Sequence, residues 1–326
     1  MTRLSMPNTE PATTLRFGYE HVAAEALLRQ PDVLAVLGFG ASCALPDDPR
    51  VLRVGLEPVG DAPLEVWRGA APVRHGRDGD LRWSSDGEHL FFAIEVDEAV
   101  QGGIAVAAEY AYRRLTTFVA GSGTPHLLRL WNYLDAINDG SGDAERYRLF
   151  CDGRAAGMPA GTARYPAASA IGRQDGVRVL QVYGLAARSA GTAIENPRQV
   201  SAWRYPRQYG PTSPTFTRGM RTADTQLLIS GTAAVVGHAS LHEDDVDAQL
   251  DETLTNLGSL LRQAGLPDPH LGAGSLLKAY LRDPAAATTV EATLSARIPV
   301  LGGLVLLAGD ICRRELLVEI DGEHHA

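Results

Sequence analysis

Arginine and tyrosine residues are concentrated in one irregular segment near the middle of the chain. Residues 195–221, ENPRQVSAWRYPRQYGPTSPTFTRGMR, are interrupted by Pro and Gly and lack the spacing of a helix or strand. A long irregular segment inside a compact protein is usually functional or mobile. Guanidinium groups bind planar carboxylates through two parallel hydrogen bonds, and a Tyr hydroxyl adds a neutral donor. The cationic residues of this segment are Arg198, Arg204, Arg207, Arg218 and Arg221.

A second Arg/Tyr pair lies in the first half of the chain. Tyr147 and Arg154 fall within RYRLFCDGR, residues 146–154. One such pair in each half would suit a small dianion that is held between two domains. The alternative is that each arginine pairs with an acidic residue at the surface, and on residue types alone this alternative is the more common arrangement.

One acidic residue near the C-terminus is a candidate general acid. In CRRELLVEI, residues 312–320, a period of two predicts a strand with Arg313, Glu315, Leu317 and Glu319 on one face. An exposed Glu315 would be an ordinary strand residue. If the other domain covers this face, burial raises the pKa of Glu315 and makes it a usable proton donor.

Other catalytic and metal-binding patterns are missing or weak. The sequence contains neither a Walker-type phosphate loop nor a GxSxG nucleophile motif. His238 and His242 have a spacing that could bind metal, but they fall in a predicted turn and are interpreted as polar turn residues. The three cysteines, Cys43, Cys151 and Cys312, are widely spaced and predict free thiols, with Cys312 as a small buried residue. We expect no metal.

The overall charge excludes several classes of partner. Lys and Arg total 30 against 39 Asp and Glu, a formal net charge of −9, which argues against nucleic acid as the main partner. The longest nearly uncharged apolar stretch, residues 298–309, is shorter than the roughly 20 residues of a membrane span. The N-terminus has no apolar signal segment. We therefore expect a soluble, cytoplasmic enzyme.

The hydrophobic pattern predicts an α+β protein with an internal repeat. We expect a flexible tail over 1–14, an N-terminal α+β domain over 15–165 and a C-terminal domain over 166–326, with residues 157–169 as a Gly/Pro/Ala-rich linker. Helical periodicity is strongest over 102–120 and 244–263. The strands after these helices are alike, LLRLWNYL (127–134) and LLKAYLRD (276–283). Two strand–helix–strand–helix units are therefore predicted around a shared crevice.

Several segments together resemble the chorismatases, bacterial enzymes that cleave the enolpyruvyl ether of chorismate. The resemblance runs from residue 127 to the C-terminus, and the N-terminal third is not matched motif by motif. Residues 227–263 also look like the wider YjgF/RidA superfamily. The resemblance implies two fused YjgF/RidA-like units in a pseudo-trimeric arrangement, with the active site between them. The matching segments are RLWNYLDAIN (129–138), ERYRLFCDGR (145–154), PRQVSAWRYPRQYGPTSPTFTRG (197–219), LLISGTAAVVGH (227–238) and CRRELLVEI (312–320).

The chorismatase resemblance also implies an activity and its residues. The activity is cleavage of chorismate with release of pyruvate, without a cofactor, to give 3-hydroxybenzoate and in some members 4-hydroxybenzoate as well. Glu315 would protonate the enolpyruvyl methylene. Ala234 and Ala308 would line the pocket and influence the product, and a cysteine is expected in place of Ala308 in members that form only 3-hydroxybenzoate. The residues implied in binding the two carboxylates are Tyr147, Arg154, Tyr205 and Arg218.

Two other functions remain open from the sequence. One is a chorismate hydrolase that forms a dihydroxycyclohexadiene carboxylate. The other is a RidA-like imine hydrolase or ligand-binding protein without chorismate activity, for which Arg154, Arg218 and Glu315 would not meet in one pocket. In either case a monomer is expected because the units are fused in one chain.

Overall fold

Three sheet-containing units follow one another along the chain. The computed structural model describes residues 15–159 and 165–325. The predicted tail over 1–14 and the centre of the predicted linker therefore lie outside the described residues. Within the described ranges, no helix is both long and apolar enough to cross a membrane.

The first unit is a four-stranded sheet with one short helix. Its strand order is β1-β4-β2-β3, in which β2 and β3 are parallel and the other pairs are antiparallel. Its elements are β1 (Arg16–Glu20), α1 (Ala24–Leu28), β2 (Val33–Phe39), β3 (Val51–Val54) and β4 (Leu64–Arg68).

The second unit is a six-stranded sheet with the order β5-β6-β7-β10-β8-β9. A parallel pair, β8 and β9, forms one edge and is connected through α4. The elements are β5 (Arg74–Asp78), β6 (Leu81–Ser85), β7 (His89–Asp97), α2 (Glu98–Gln101), α3 (Ile104–Gly121), β8 (His126–Asp135), α4 (Arg146–Gly157), β9 (Ala167–Arg173) and β10 (Val179–Ala187).

The third unit is a six-stranded sheet with the order β11-β12-β13-β18-β16-β17, accompanied by the short β14–β15 hairpin. Its long helix α5 begins after Asp245, whose side chain accepts a hydrogen bond from the Ala248 amide, and ends at Gly265 with φ +64°. The elements are β11 (Thr192–Ile194), β12 (Gly219–Arg221), β13 (Leu227–Thr232), β14 (Val235–Val236), β15 (Ala239–Ser240), α5 (Val246–Ala264), β16 (Ser275–Leu281), α6 (Ala287–Arg297), β17 (Gly303–Ala308) and β18 (Val318–His324).

The three units are copies of one arrangement. The two six-stranded sheets have the same strand order and the same parallel edge pair, β8/β9 and β16/β17. The first sheet, β1-β4-β2-β3, matches their last four strands, for example β7-β10-β8-β9. The prediction of fused α+β repeats in a pseudo-trimeric arrangement is confirmed, and a shortened third copy is added to it. The similar segments 127–134 and 276–283 fall at equivalent places, in β8 and β16.

One hydrophobic core is shared by the three sheets. Its buried side chains come from every unit, among them Trp67, Tyr183 and Tyr280. The opposite faces of the sheets are covered by their own helices, α1 in the first unit, α3 and α4 in the second, and α5 and α6 in the third. Each sheet is therefore buried on both faces, and grooves between neighbouring sheets are the places where a ligand can enter.

The domain boundary expected at residues 165/166 falls inside the second sheet. Strand β9 pairs in parallel with β8, and β10 pairs with both β7 and β8. A parallel pair requires a crossover connection, which here contains α4. Described residues on both sides of the expected boundary therefore contribute strands to one sheet, and the division of the chain into two domains stays a prediction.

Candidate active site

A cavity of about 410 Å³ lies between the second and third units. One wall comes from α4 and β9, and the other from the segment before β12, from β13, and from the turn that leads into β18. This volume suits a small molecule. The lining residues are Glu145, Tyr147, Arg148, Phe150, Cys151, Arg154, Ala168, Ser169, Ala170, Gln199, Tyr205, Gln208, Tyr209, Pro214, Thr215, Phe216, Arg218, Gly231, Ala233, Val235, Cys312, Arg313, Arg314, Glu315, Leu316 and Glu319.

Helix α4 presents one face to the cavity. Tyr147, Cys151 and Arg154 are four and three residues apart, which places them on the same side of a helix. Arg154 is only 4% exposed, and its Nη2 donates a 2.8 Å hydrogen bond to the carbonyl oxygen of Thr215 in the opposite wall. Its guanidinium also lies 5.0 Å from the ring centroid of Tyr112. These contacts hold a cation at the junction of the two units.

Arg218 is the corresponding cation of the third unit. It is 5% exposed, and its Nη2 donates hydrogen bonds to the Val200 carbonyl oxygen (2.9 Å) and the Tyr205 hydroxyl (2.6 Å). The backbone around it is fixed by Glu195, whose Oε1 accepts from the Thr217 hydroxyl and the Arg218 amide. Tyr205 and Arg218 are therefore positioned as one unit.

No described carboxylate balances the charge of either buried guanidinium. Within the described residues, no carboxylate oxygen lies within 4.0 Å of a side-chain nitrogen of Arg154 or Arg218. The Nε atom of each is buried without a hydrogen-bond partner. Burying a charge without compensation is costly. Two such cations at one cavity indicate a site for a ligand that carries negative charge.

The surface-pairing alternative is correct for part of the 195–221 segment. Arg198 pairs with Glu252 at 2.5 Å, and Arg207 pairs with Asp143 of the second unit at 2.5 Å. Arg218 does not follow this pattern. The cluster therefore divides into arginines that fasten the segment to the protein and one that faces the cavity.

Glu319 of β18 also faces the cavity and is 5% exposed. No described residue hydrogen-bonds to its carboxyl group. Burial, together with the negative charge of Asp321, raises the pKa of Glu319 to about 8, so the carboxyl group is protonated at neutral pH. Opposite it, the β13–β18 register shifts at Gly231, and a Cβ there would overlap Glu319 Oε1. The cavity therefore contains a buried proton donor that the sequence analysis had not singled out.

Glu315 lies at the cavity in a turn and not in a strand. The predicted alternation is wrong before Val318, where β18 begins, because the Leu316 amide bonds to the Arg313 carbonyl oxygen and closes a turn. Glu315 is half-buried, and its Oε1 accepts a 2.6 Å hydrogen bond from the Ser240 hydroxyl. Its carboxylate therefore helps to connect the turn to β15.

Arg313 is a third cation in the wall of the cavity. Its guanidinium carbon lies 4.1 Å from the ring centroid of Tyr209 and 5.1 Å from that of Tyr205. Its Nη1 donates to the His238 carbonyl oxygen and the Ser240 hydroxyl. The Tyr209 hydroxyl also approaches His238 Nδ1 at 3.1 Å. His238 therefore acts as a polar turn residue that positions cavity side chains.

Comparisons with known proteins identify the family of this chain. A model of the N-terminal domain of FkbO/Hyg5-like chorismatases matches residues 65–186. A protein from Streptomyces hygroscopicus named chorismatase is 34% identical over 275 residues, which cover 80% of this chain and 79% of that protein. The chain belongs to the chorismatase family. A second protein from the same species, named 3-hydroxybenzoate synthase, is 32% identical over 89% of this chain and 91% of its own length.

A solved chorismatase has the same fold. Its crystal structure matches with a TM-score of 0.82 and 32% identity, and the match covers 95% of this chain and 98% of that chain. The match includes the N-terminal third, which the sequence motifs had left unassigned. The family relationship therefore extends over nearly the whole chain.

The residues that the chorismatase resemblance assigns to substrate binding all line the cavity. They are Tyr147, Arg154, Tyr205 and Arg218. Glu315 lines it as well, so Arg154, Arg218 and Glu315 meet in one pocket. The RidA-like alternative predicts the opposite, that these three residues do not meet in one pocket. Their roles toward a substrate remain predictions.

The two alanines expected to line the pocket are not among the described residues that do so. Ala234 is buried in the shared core, while its neighbours Ala233 and Val235 face the cavity. Ala308 ends β17, an edge strand that is separated by β16 from the strand that carries Glu319. The cysteine in the cavity wall is Cys312, four residues later. Burial raises the pKa of the Cys312 thiol to about 12, so the side chain is neutral, but it is half-buried and not fully buried as predicted.

Glu319 makes the stability of the protein depend on pH. Because its pKa is raised from the usual 4.5 to about 8, the folded state keeps a proton that the unfolded chain loses above about pH 4.5. This contribution to stability is complete below pH 4.5 and is lost as the pH rises to 8. We expect the Glu319→Gln variant to be more stable than the parent at pH 8, by on the order of a few kcal/mol, and similar to it near pH 4.5. Urea unfolding across this range measures the difference, and a pH-independent difference would contradict the raised pKa.

Proposed function

We propose that this protein cleaves chorismate with release of pyruvate and forms 3-hydroxybenzoate as its main product. One observation carries the proposal: two buried arginines that pair with no carboxylate of the described residues face the same cavity as a buried, protonated glutamate. A dianion with an acid-labile bond between its charged ends fits such a site. The names of the relatives, chorismatase and 3-hydroxybenzoate synthase, support the same substrate and product.

The two carboxylates of chorismate are bound by one Arg/Tyr pair from each unit. Arg154 with Tyr147 receives one carboxylate, and Arg218 with Tyr205 receives the other. Burial raises the pKa of Tyr147 well above its usual value, so its hydroxyl remains a neutral donor. Charge-assisted hydrogen bonds at both ends hold the enolpyruvyl ether in a fixed position between the units.

Glu319 supplies the proton that begins the reaction. The π electrons of the enolpyruvyl double bond take the proton at the methylene carbon, which leaves an oxocarbenium centre at the ether carbon. A neutral carboxyl group that is already inside the cavity is suited to this step. We assign the role to Glu319 and not to Glu315, because Glu315 is half-buried and Ser240 hydrogen-bonds to its carboxylate.

The source of the keto oxygen of pyruvate distinguishes the products. Addition of water to the oxocarbenium carbon consumes one water molecule and gives a dihydroxycyclohexadiene carboxylate. Alternatively, the neighbouring ring hydroxyl attacks the ring carbon that carries the ether, the bond between this carbon and the ether oxygen breaks, and pyruvate leaves with the ether oxygen. The Glu319 carboxylate takes the hydroxyl proton, and the epoxide that has formed opens with loss of a ring proton to its oxygen, so that hydroxybenzoate plus pyruvate have the atoms of chorismate with no water consumed. Cys312 and Gly231 are small residues in the wall beside Glu319, and we propose that this shape favours the intramolecular route. Formation of 4-hydroxybenzoate as a second product belongs to the same proposal.

Incubation of the purified protein with chorismate tests the function directly. We expect pyruvate, measured by coupling to lactate dehydrogenase, to appear in a one-to-one ratio with hydroxybenzoate separated by chromatography. Pyruvate with a dihydroxycyclohexadiene carboxylate instead would identify the hydrolase. Absence of pyruvate would overturn the proposal.

We further propose that the protein acts as a monomer in the cytoplasm. Three copies of the unit already enclose one core within a single chain. The cysteines are free thiols, which suits a reducing compartment. Sedimentation of the purified protein should give the mass of one chain, about 34.8 kDa.

A further inference from the structure

Three acidic side chains share the inner face of β18. Glu319, Asp321 and Glu323 are two residues apart, so they point to the same side of the strand, and all three are buried. Two buried cations, Arg129 and Lys278, lie in the same interior. An interior with more acids than cations cannot keep every acid ionised at low cost.

The two cations are already paired. Arg129 Nη2 lies 2.9 Å from Asp321 Oδ2, and Lys278 Nζ lies 2.8 Å from Glu65 Oε2. Within the described residues, no Lys or Arg nitrogen lies within 4.0 Å of a carboxylate oxygen of Glu319. The charge balance therefore assigns the negative charge to Asp321 and leaves Glu319 neutral.

Four hydrogen-bond donors converge on one carboxyl oxygen of Asp321. Its Oδ2 accepts hydrogen bonds from Arg129 Nη2 (2.9 Å), Trp131 Nε1 (3.0 Å), the Ser169 hydroxyl (2.6 Å) and the Tyr280 hydroxyl (2.8 Å). Hydrogen bonds to the charged form of a carboxylate favour that form. Ser169 also lines the cavity, so this network reaches the wall that contains Glu319.

We infer that Asp321 is a positioning residue whose fixed negative charge, anchored from β8, β9 and β16, keeps Glu319 in its acid form for the reaction. This inference rests on the proposed function. Ionisation of Glu319 would place a second negative charge two residues away on the same strand face. Asp321 does not touch the substrate, and it acts only through Glu319.

Several other groups also influence the pKa of Glu319. The guanidinium groups favour its ionised form, but Arg129 is neutralised by Asp321, and bound substrate would neutralise Arg218. Burial raises the pKa values of Cys312 and Tyr147, so both are uncharged. The groups that face Glu319 are Asp321 on its own strand, Arg129 of β8, Tyr147 of α4, Arg218 before β12, and Cys312 and Arg313 in the turn before β18.

The pH dependence of kcat in the Asp321→Asn variant tests the inference. In the parent protein, kcat at saturating chorismate should fall as the pH rises through the pKa that Glu319 has in the substrate complex. Without the charge of Asp321, this alkaline decline should begin at a pH that is lower by about one unit or more. At pH 5.5, kcat of the variant should stay within about threefold of the parent value. A uniform loss of kcat with an unmoved decline would overturn the inference and leave Asp321 with a purely structural role.

Two further variants distinguish the loss of the Asp321 charge from a disturbance of the fold. The Tyr280→Phe variant removes one donor to Asp321 but no charge, so its alkaline decline should stay in place. The Arg129→Met/Asp321→Asn double variant restores charge balance, and its decline should lie between those of the parent and Asp321→Asn. If the alkaline decline of kcat moved as far in Tyr280→Phe as in Asp321→Asn, the charge of Asp321 could not be its cause.

A measurement without substrate separates this inference from the proposed function. The pH range over which the stabilisation by Glu319→Gln increases, from about pH 4.5 up to the pKa of Glu319, should end at a lower pH when Asp321→Asn is also present, so the stabilisation at pH 8 should be smaller. If pyruvate is released from chorismate but this range does not move, the role of Asp321 is wrong and the function stands. If the range moves but no pyruvate forms, the coupling of the two acids stands and the function fails.

Discussion

Replacement of Glu319 by glutamine is expected to lower kcat for pyruvate release by about a thousandfold, with chorismate binding preserved. Glutamine has nearly the shape of the protonated acid but cannot donate a proton to carbon. Because Glu319 is neutral when substrate binds, the substitution changes no charge in the cavity. The rate is measured by coupled pyruvate detection, and binding by calorimetry with the variant that no longer consumes its ligand.

The matched control is Glu315→Gln. Both acids line the cavity, four residues apart, so the two variants make the same chemical change at neighbouring places. A glutamine oxygen at position 315 can still accept from Ser240, and we expect a loss of less than about tenfold. A collapse of turnover in Glu315→Gln with near-normal turnover in Glu319→Gln would return the proton donor to Glu315.

The repeated architecture could be predicted because it depends on local patterns. The helix over 244–263 has an acidic first turn and a leucine face, and α5 occupies Val246–Ala264. The similar strands β8 and β16 signalled the duplication. The shortened first copy could not be recognised, because its helix α1 has only five residues and leaves too little helical periodicity.

The hydrophobic pattern of the sequence also did not predict strands that lack alternating apolar residues. Strand β5, RHGRD, is mostly exposed at the edge of the second sheet, and β9, AASAIGR, consists largely of small residues. Both are strands because neighbouring strands pair with them. Pairing partners far along the chain are not visible in a local pattern.

A local sequence pattern also could not decide which glutamate is the proposed catalytic acid. Alternation placed Glu315 and Glu319 on one face, and nothing in the spacing separates them. The difference arises from where β18 begins, from the shared core that buries Glu319, and from Asp321 behind it. In the same way, Arg198 and Arg207 differ from Arg218 only through partners 54 and 64 residues away.

The largest effect on binding is expected from Arg218→Met. Methionine keeps much of the apolar length of the side chain but leaves the bound carboxylate without its charged partner in a buried site. Loss of one partner from such a pair costs about 3–5 kcal/mol, so the KM for chorismate should rise by about two orders of magnitude or more. Initial rates of pyruvate release over a range of chorismate concentrations measure this change.

Arg221→Met is the matched control for Arg218→Met. Arg221 lies three residues later in the same segment, donates to the Ala264 carbonyl oxygen at 2.9 Å, and is not among the residues that line the cavity in the described part of the chain, so its KM should stay near that of the parent. A second readout follows from charge. Because the Arg218 guanidinium lowers the pKa of Glu319, its removal should move the alkaline decline of kcat to higher pH, opposite to Asp321→Asn. Two outcomes would mean that Arg218→Met perturbs residues 195–221 and does not remove a carboxylate contact. One is an equal rise of KM in Arg218→Met and Arg221→Met, and the other is an alkaline decline of kcat that moves to lower pH in Arg218→Met. A decline of kcat that moves to higher pH in Arg218→Met and to lower pH in Asp321→Asn is the result expected when both charges act on the proton of Glu319.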